Sequence, residues 1–150
     1  MSNNKLWKFE HEPQIIDQMI LTSDKKEMLK KIITDLPNTL ITGKPGTGKG
    51  TFMNILLREN SQCNYLKINA SMENSIDDVR EKIRNFATGY DPSNLKIVYL
   101  NECDRISIPG QDAMRQLIED TQDITRFFYW QMMKVKSLMR WCQDVDINSL

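Results

Sequence analysis

The segment Gly43-Lys44-Pro45-Gly46-Thr47-Gly48-Lys49 has the spacing G-x-x-x-x-G-K. That spacing suits the gripping of phosphates. A phosphate needs several backbone N–H groups pointing into one concavity, and only small residues let the chain come that close. Gly46 and Gly48 provide that freedom and Pro45 stiffens the approach. A helix starting near Gly48 adds its N-terminal dipole, and Lys49 can reach the terminal phosphates of a nucleotide. The bland alternative is a glycine-rich turn with no ligand. An apolar run before the loop, a helical stripe after it and a lysine in place favour nucleotide binding. In most such loops the lysine is followed by a serine or threonine that holds magnesium. Here Gly50 follows. Thr51 carries a hydroxyl, but one step along a helix turns it by about 100°, towards an α-phosphate rather than the metal.

Hydrolysis of a bound nucleotide also needs a carboxylate at the end of a second strand. The stretch KIVYLNECDR, residues 96–105, offers four apolar residues leading to Asn101 and Glu102. The usual pair is Asp-Glu. The aspartate holds the metal and the glutamate orients or deprotonates the attacking water. Asn101 keeps the shape and loses the charge, whereas Glu102 keeps the base. The nucleotide-binding set is therefore Gly43, Lys44, Pro45, Gly46, Thr47, Gly48, Lys49, Gly50 and Thr51. Glu102 is the catalytic candidate, and Asn101 and Thr51 are the metal-side candidates. Other reactive types read as structural. His11, the single histidine, lies in a polar stretch and suits the surface. Cys103 has no histidine near it in sequence and suits a buried position. Arg105 and Arg115 suit surface ion pairs, with contacts to DNA or a neighbouring subunit as the alternative.

These residues need elements to hold them. Residues 24–36 carry Met28, Leu29, Ile32, Ile33 and Leu36 at helical spacing, with Asp24 and Glu27 as a variant capping box and Pro37 as a stop. Residues 39–43 read as a buried strand, and a helix runs from Lys49 through Phe52, Ile55 and Leu56. Residues 64–70 read as a strand, 75–87 as a helix capped by Ser75, 91–94 as a turn and 95–102 as an apolar strand. Pro109 opens a helix through Ala113, Met114, Leu117 and Ile118. Residues 125–130 form a strand, 130–142 a short helix that is apolar almost all round, and 145–147 a last strand. Strands alternating with helices predict a parallel α/β sheet covered on both faces. Ligands of such sheets bind at the carboxyl ends of the strands, where this loop lies.

The chain has 150 residues, enough for one domain with a real core. Lys plus Arg and Asp plus Glu both number 20, so no global charge draws the chain to nucleic acid or an acidic membrane surface. Cys63, Cys103 and Cys142 fit neither a disulfide framework nor a zinc site, which predicts a reducing, cytosolic compartment. The polar start lacks a signal core, and no apolar run approaches the roughly 20 residues of a membrane span.

Several long segments, in order, resemble a family. LWKFEHEPQIIDQMIL (6–21), INASMENSIDDVREKIRNFA (68–87), VYLNECDRISIPGQDAMRQLIED (98–120), TRFFY (125–129) and VKSLMRWCQDVDI (135–147) are similar to motifs of the AAA+ ATPase module of sliding-clamp-loader subunits. The likeness is to the small subunits of replication factor C and their archaeal and phage counterparts. It implies a P-loop NTPase fold, an open parallel five-stranded sheet in the order 5-1-4-3-2 with helices on both faces. Residues 1–150 would form a single domain, with 1–23 beside the adenine and 24–150 as the α/β core. It also implies ATP, magnesium, and a hetero- or homo-oligomer of clamp-loader subunits acting with a sliding clamp and primer-template DNA. The compartment would be the bacterial host cytoplasm for a phage protein, and nuclear or cytosolic otherwise. Arg140 falls in a disturbed S-R-C box and is the candidate arginine finger acting in trans on a neighbour's ATP.

Departures from the family pattern cluster at the chemistry. Gly50 and Asn101 replace the metal-side residues, Met132 falls near the sensor-1 asparagine, Met72 replaces an aspartate and Glu12 an arginine. Leu138 and Met139 separate Ser137 from Arg140, and Trp141 separates Arg140 from Cys142. The family's lid and collar are expected to be absent. The favoured expectation is an ATP-binding clamp-loader-like subunit in DNA replication with weak or absent hydrolysis and weakened magnesium binding. Two alternatives stay open. One is a non-enzymatic truncated remnant packing against full-length subunits. The other is a nucleotide kinase, whose loop also follows the lysine with glycine and threonine; it lacks support from the 37-residue lead-in and the missing lid insert.

Overall fold

Every residue of the strand that leads into the glycine loop is buried, because that strand lies inside a sheet covered on both faces. The computed structural model describes residues 11–70, 72, 75–90, 95–103, 107–131 and 143–146. A 3-10 turn, Ile16–Gln18, precedes α1 (Ser23–Asp35), β1 (Thr39–Thr42), α2 (Lys49–Glu59), β2 (Asn64–Asn69) and α3 (Ile76–Thr88). There follow β3 (Lys96–Asn101), α4 (Ile108–Thr121), β4 (Thr125–Gln131) and β5 (Gln143–Asp146). The five strands lie in the order β2-β3-β4-β1-β5, with all neighbours parallel. Read from the other edge this is 5-1-4-3-2, the order expected.

The pleat sends alternate residues to opposite faces. Ile41, Ile97, Tyr99 and Phe128 join Leu29, Ile32, Phe52, Ile55 and Leu56 from α1 and α2 in one core. Leu40, Val98, Leu100, Phe127 and Tyr129 join Val79, Ile83, Met114, Leu117 and Ile118 from α3 and α4 in the other. Burial pushes the Tyr99 hydroxyl far above its ordinary pKa, so it stays neutral within the sheet.

Ser75 caps α3 as expected, its Oγ accepting from the Asp78 N–H at 3.1 Å. Ser107 does the same for α4, accepting from the Gly110 N–H at 3.3 Å, with Pro109 in the first turn.

The expected capping box at Asp24 does not form. The helix starts at Ser23 with Thr22 as N-cap and no side-chain cap bond. Asp24 falls inside the first turn, where its charge meets the positive end of the dipole instead. Residues 130–142 do not begin as a helix. Trp130 ends the expected strand and Gln131 extends it, beside Ile41 and Thr42, since pairing with β1 overrides the all-round apolar pattern. The last strand starts earlier than expected, at Gln143, because β5 pairs with all four residues of β1. The expected turn at 91–94, Arg105, Met132, and the segment 132–142 with Arg140 lie outside the described residues.

The chain ahead of α1 is strapped to the helical face. Asn54 Nδ2 donates to Glu12 Oε1 at 3.0 Å and Arg58 Nη1 to the Gln14 carbonyl at 3.2 Å. Lys30 pairs with Asp17 at 2.6 Å, and the Lys30 hydrogen bond holds the Asp17 carboxyl below its ordinary pKa. His11 and Arg115 are on the surface side as expected: His11 is exposed, and Arg115 forms an ion pair with Asp112 at 3.7 Å. Cys103 is buried. Among the described residues no helix is long and apolar enough to cross a membrane.

Candidate functional site

The loop between β1 and α2 is built by two glycines in the left-handed region. Gly46 has φ 80° and Gly48 φ 88°, conformations that cost an L side chain strain. A Cβ on Gly48 would also sit 3.0 Å from Met19 Cε, so the strapped leader closes on the loop. Gly48 is the N-cap of α2 and brings no side chain to that end. The helix therefore starts with backbone N–H groups that no side chain caps, unlike α3 and α4. Such an end attracts anions.

Lys49 begins α2 and is only 2% exposed. Its ammonium donates to the Gly43 carbonyl at 2.5 Å, to the Lys44 carbonyl and to Thr47 Oγ1 at 3.2 Å. Trp130, at the end of the neighbouring strand β4, lays its ring 5.1 Å from the same nitrogen. A cleft of about 310 Å³ opens here, lined by Glu12, Gly46, Gly48, Lys49, Gly50, Thr51, Asn54 and Trp130. Gly46, Gly48, Lys49, Gly50 and Thr51 thus share one cavity. Gly43 lies behind it, and Lys44 and Pro45 are exposed beside it.

Asn101 ends β3 at the same carboxyl edge of the sheet. Its Oδ1 is buried, with no hydrogen-bond partner among the described residues. A buried oxygen without a donor carries an unpaid desolvation cost. Glu102 leaves the strand with φ 58°. A left-handed glutamate costs about 1–2 kcal/mol, and strain of this kind concentrates at functional positions. It turns the chain sharply just after the strand, which the expected strand to residue 102 did not anticipate. Among the described residues no group of three or more His, Cys, Asp or Glu is placed to hold a metal.

Sequence reasoning missed Trp130 and Glu12. The first stood where the expected strand 125–130 and the expected helix 130–142 overlap and was given no role at the site, and the second was read only as a departure from a motif. Pairing of β4 with β1 and the strap to Asn54 bring both to the cleft.

Comparisons with known proteins agree with this geometry. Residues 39–140 match the family described as "ATPase family associated with various cellular activities (AAA)". The chain is 33% identical over 135 residues to the replication factor C small subunit of Sulfolobus acidocaldarius, covering 85% of this chain and 42% of that protein. It is 35% identical over 130 residues to that of Aeropyrum pernix, covering 81% and 40%. The chain thus spans about two-fifths of the length of these curated relatives. In fold it is similar to the Thermotoga maritima RuvB Holliday junction branch migration motor, with a TM-score of 0.67, 20% identity, and 90% of this chain against 48% of that one. With the family match running from the first residue of β1 through the loop, both cores and beyond β4, this chain belongs to the AAA family of ATPases.

Proposed function

We propose that this chain is the ATP-binding module of a clamp-loader-like subunit acting in DNA replication, with ATP hydrolysis weak or absent. The observation that carries the binding is the cleft itself: uncapped N–H groups at the start of α2, two left-handed glycines and Lys49 converge on one cavity. The clamp-loader role rests on the likeness to replication factor C small subunits over 130–135 residues, which favours it over a nucleotide kinase. Other subunits, a sliding clamp and primer-template DNA are the partners this reading implies. Residues 11–22 lie along the loop, Glu12 lining the cleft and Met19 against Gly48. That placement supports a leader beside the adenine.

The family implies ATP together with magnesium. The residues present fit the phosphates. For the metal they offer one hard but neutral oxygen, Asn101 Oδ1 at the end of β3, with Thr51 Oγ1 turned towards an α-phosphate, which suits an ion that keeps its waters and is carried mainly by the phosphates. Magnesium supplies charge neutralisation on the phosphates when bound. Lys49 and the α2 N–H groups would bind and orient them. Glu102 would hold the attacking water's proton, and an arginine such as Arg140 would come from a neighbour. Without a charged metal ligand, orientation outlasts catalysis.

Titration with a fluorescent ATP analogue, with magnesium and with chelator, tests this reading. Binding is expected in both, displaced by ATP and not by adenosine, with turnover at or near background. Robust turnover would sink the weak-hydrolysis reading, and no binding at all would leave a fold without its ligand.

The metal side can be rebuilt. A Cβ on Gly50 meets nothing within 4 Å, so serine fits. Gly50→Ser with Asn101→Asp is expected to raise ATP affinity in magnesium about tenfold, since one restored charged contact contributes about 1.5 kcal/mol, and to lower it in chelator, where the added carboxylate repels the phosphates. Equal affinity in both buffers would show that the metal is not held here.

A further inference from the structure

Lys49 is held by more than its own loop. Its three loop acceptors, the Gly43 and Lys44 carbonyls and Thr47 Oγ1, match the three hydrogens of an ammonium. Phosphate oxygens must displace some of them. Trp130 adds a fourth contact from a different strand, its ring 5.1 Å from Nζ, and lines the same cleft. A cation over an indole face is attracted by the ring quadrupole, most strongly where water is excluded. Lys49 at 2% exposure is such a place.

Trp130 Nε1 is buried with no hydrogen-bond partner among the described residues. Among the described residues, packing and the Lys49 contact hold the ring. A shift of the ring gives up that contact and lets the N–H find an acceptor.

Building on the nucleotide-binding reading above, we infer that Trp130 sets the affinity of the site for nucleotide phosphates. Its ring holds the Lys49 ammonium down in the loop and so competes with the phosphates for it. Trp130 is a positioning residue that acts through Lys49, and removing its π face releases the ammonium. This gives a sign opposite to that of an ordinary binding-site aromatic, whose loss weakens binding.

The test compares ATP-analogue affinity of the whole chain for the original protein, Trp130→Phe, Trp130→Leu and Lys49→Ala. Affinity is expected to rise in the order Trp, Phe, Leu, with Leu about five- to thirtyfold tighter, the range set by a partly desolvated cation–π contact. In a Trp7→Phe, Trp141→Phe background, biosynthetic fluorination of Trp130 keeps the ring's size, drains its π density and should tighten binding progressively. That series stands even where Trp130→Leu does not fold. Binding that is abolished by Lys49→Ala but unchanged or weakened by Trp130→Leu and by fluorination overturns the Trp130 inference alone. Binding indifferent to Lys49→Ala, or absent from every variant, removes the nucleotide reading on which it rests.

Discussion

Lys49→Ala is expected to lower ATP affinity at least about a hundredfold, because two lost charge-assisted hydrogen bonds at about 1.5–3 kcal/mol each remove at least about 3 kcal/mol. The lysine is the single cation lining the cleft among the described residues. The N–H groups of α2 that would remain are dipoles, which orient phosphates without neutralising them. Arginine should not rescue the loss. Lys49 is 2% exposed and its nitrogen fits among three oxygens of one tight loop, whereas a guanidinium is broader and planar. Titration measures the affinity, and a thermal melt of the ligand-free variant separates a lost ligand contact from a loosened loop. An alanine variant that binds within threefold of the original chain would place the phosphates elsewhere.

Lys96→Met is expected to cost about 3 kcal/mol of stability, an amount that lowers the melting temperature by about 6–12 °C in a domain of this size. Lys96 opens β3 and is 5% exposed. Its ammonium donates to the Phe86 carbonyl at 2.7 Å, to the Ala87 carbonyl at 2.9 Å and to the Gly89 carbonyl, with the Phe86 ring 5.5 Å away. These are the last carbonyls of α3 and its C-cap, the negative end of the helix dipole. One buried cation thus ends the helix and pins it to the strand beside it. Methionine keeps the length and leaves the carbonyls bare. Urea denaturation reads the difference, and a loss under about 0.5 kcal/mol would mean that water replaces the ammonium at those carbonyls.

Legibility in the sequence tracks the range of the interactions. The loop glycines, the Ser75 cap and the continuous apolar runs of β1, β3 and β4 are local patterns, and they lead to the observed strand order once the family likeness is added. Lys96 reads as an interruption in an apolar run, since its carbonyl partners lie 7–10 residues upstream across a helix end. The left-handed turn at Glu102 follows no glycine or asparagine preference. Trp130 misleads periodicity, because the apolar residues from 125 onward suit a buried strand and an all-round apolar helix equally. Only its place opposite Ile41 decides. For the site, residue types were legible and their mutual contacts were not. Lys49 reads as a lysine that can reach phosphates, but its bonds to the Gly43 and Lys44 carbonyls and Thr47 Oγ1 leave no mark in the sequence.

The strand order carries a consequence for how the chain assembles. Thr39 pairs with Phe128 on one side and Gln143 on the other, so β1 has no sheet partner until about ninety residues after it have been made. At about 5–20 residues per second, synthesis of that stretch takes roughly 5–20 s. Loop closures of this span are slow steps in folding. The glycine loop is therefore made early and shaped late, when β4 and then β5 dock on its strand. A nucleotide that binds only the finished loop favours the docked state by mass action, and the ligand then acts as a clasp on the slowest joint of the sheet.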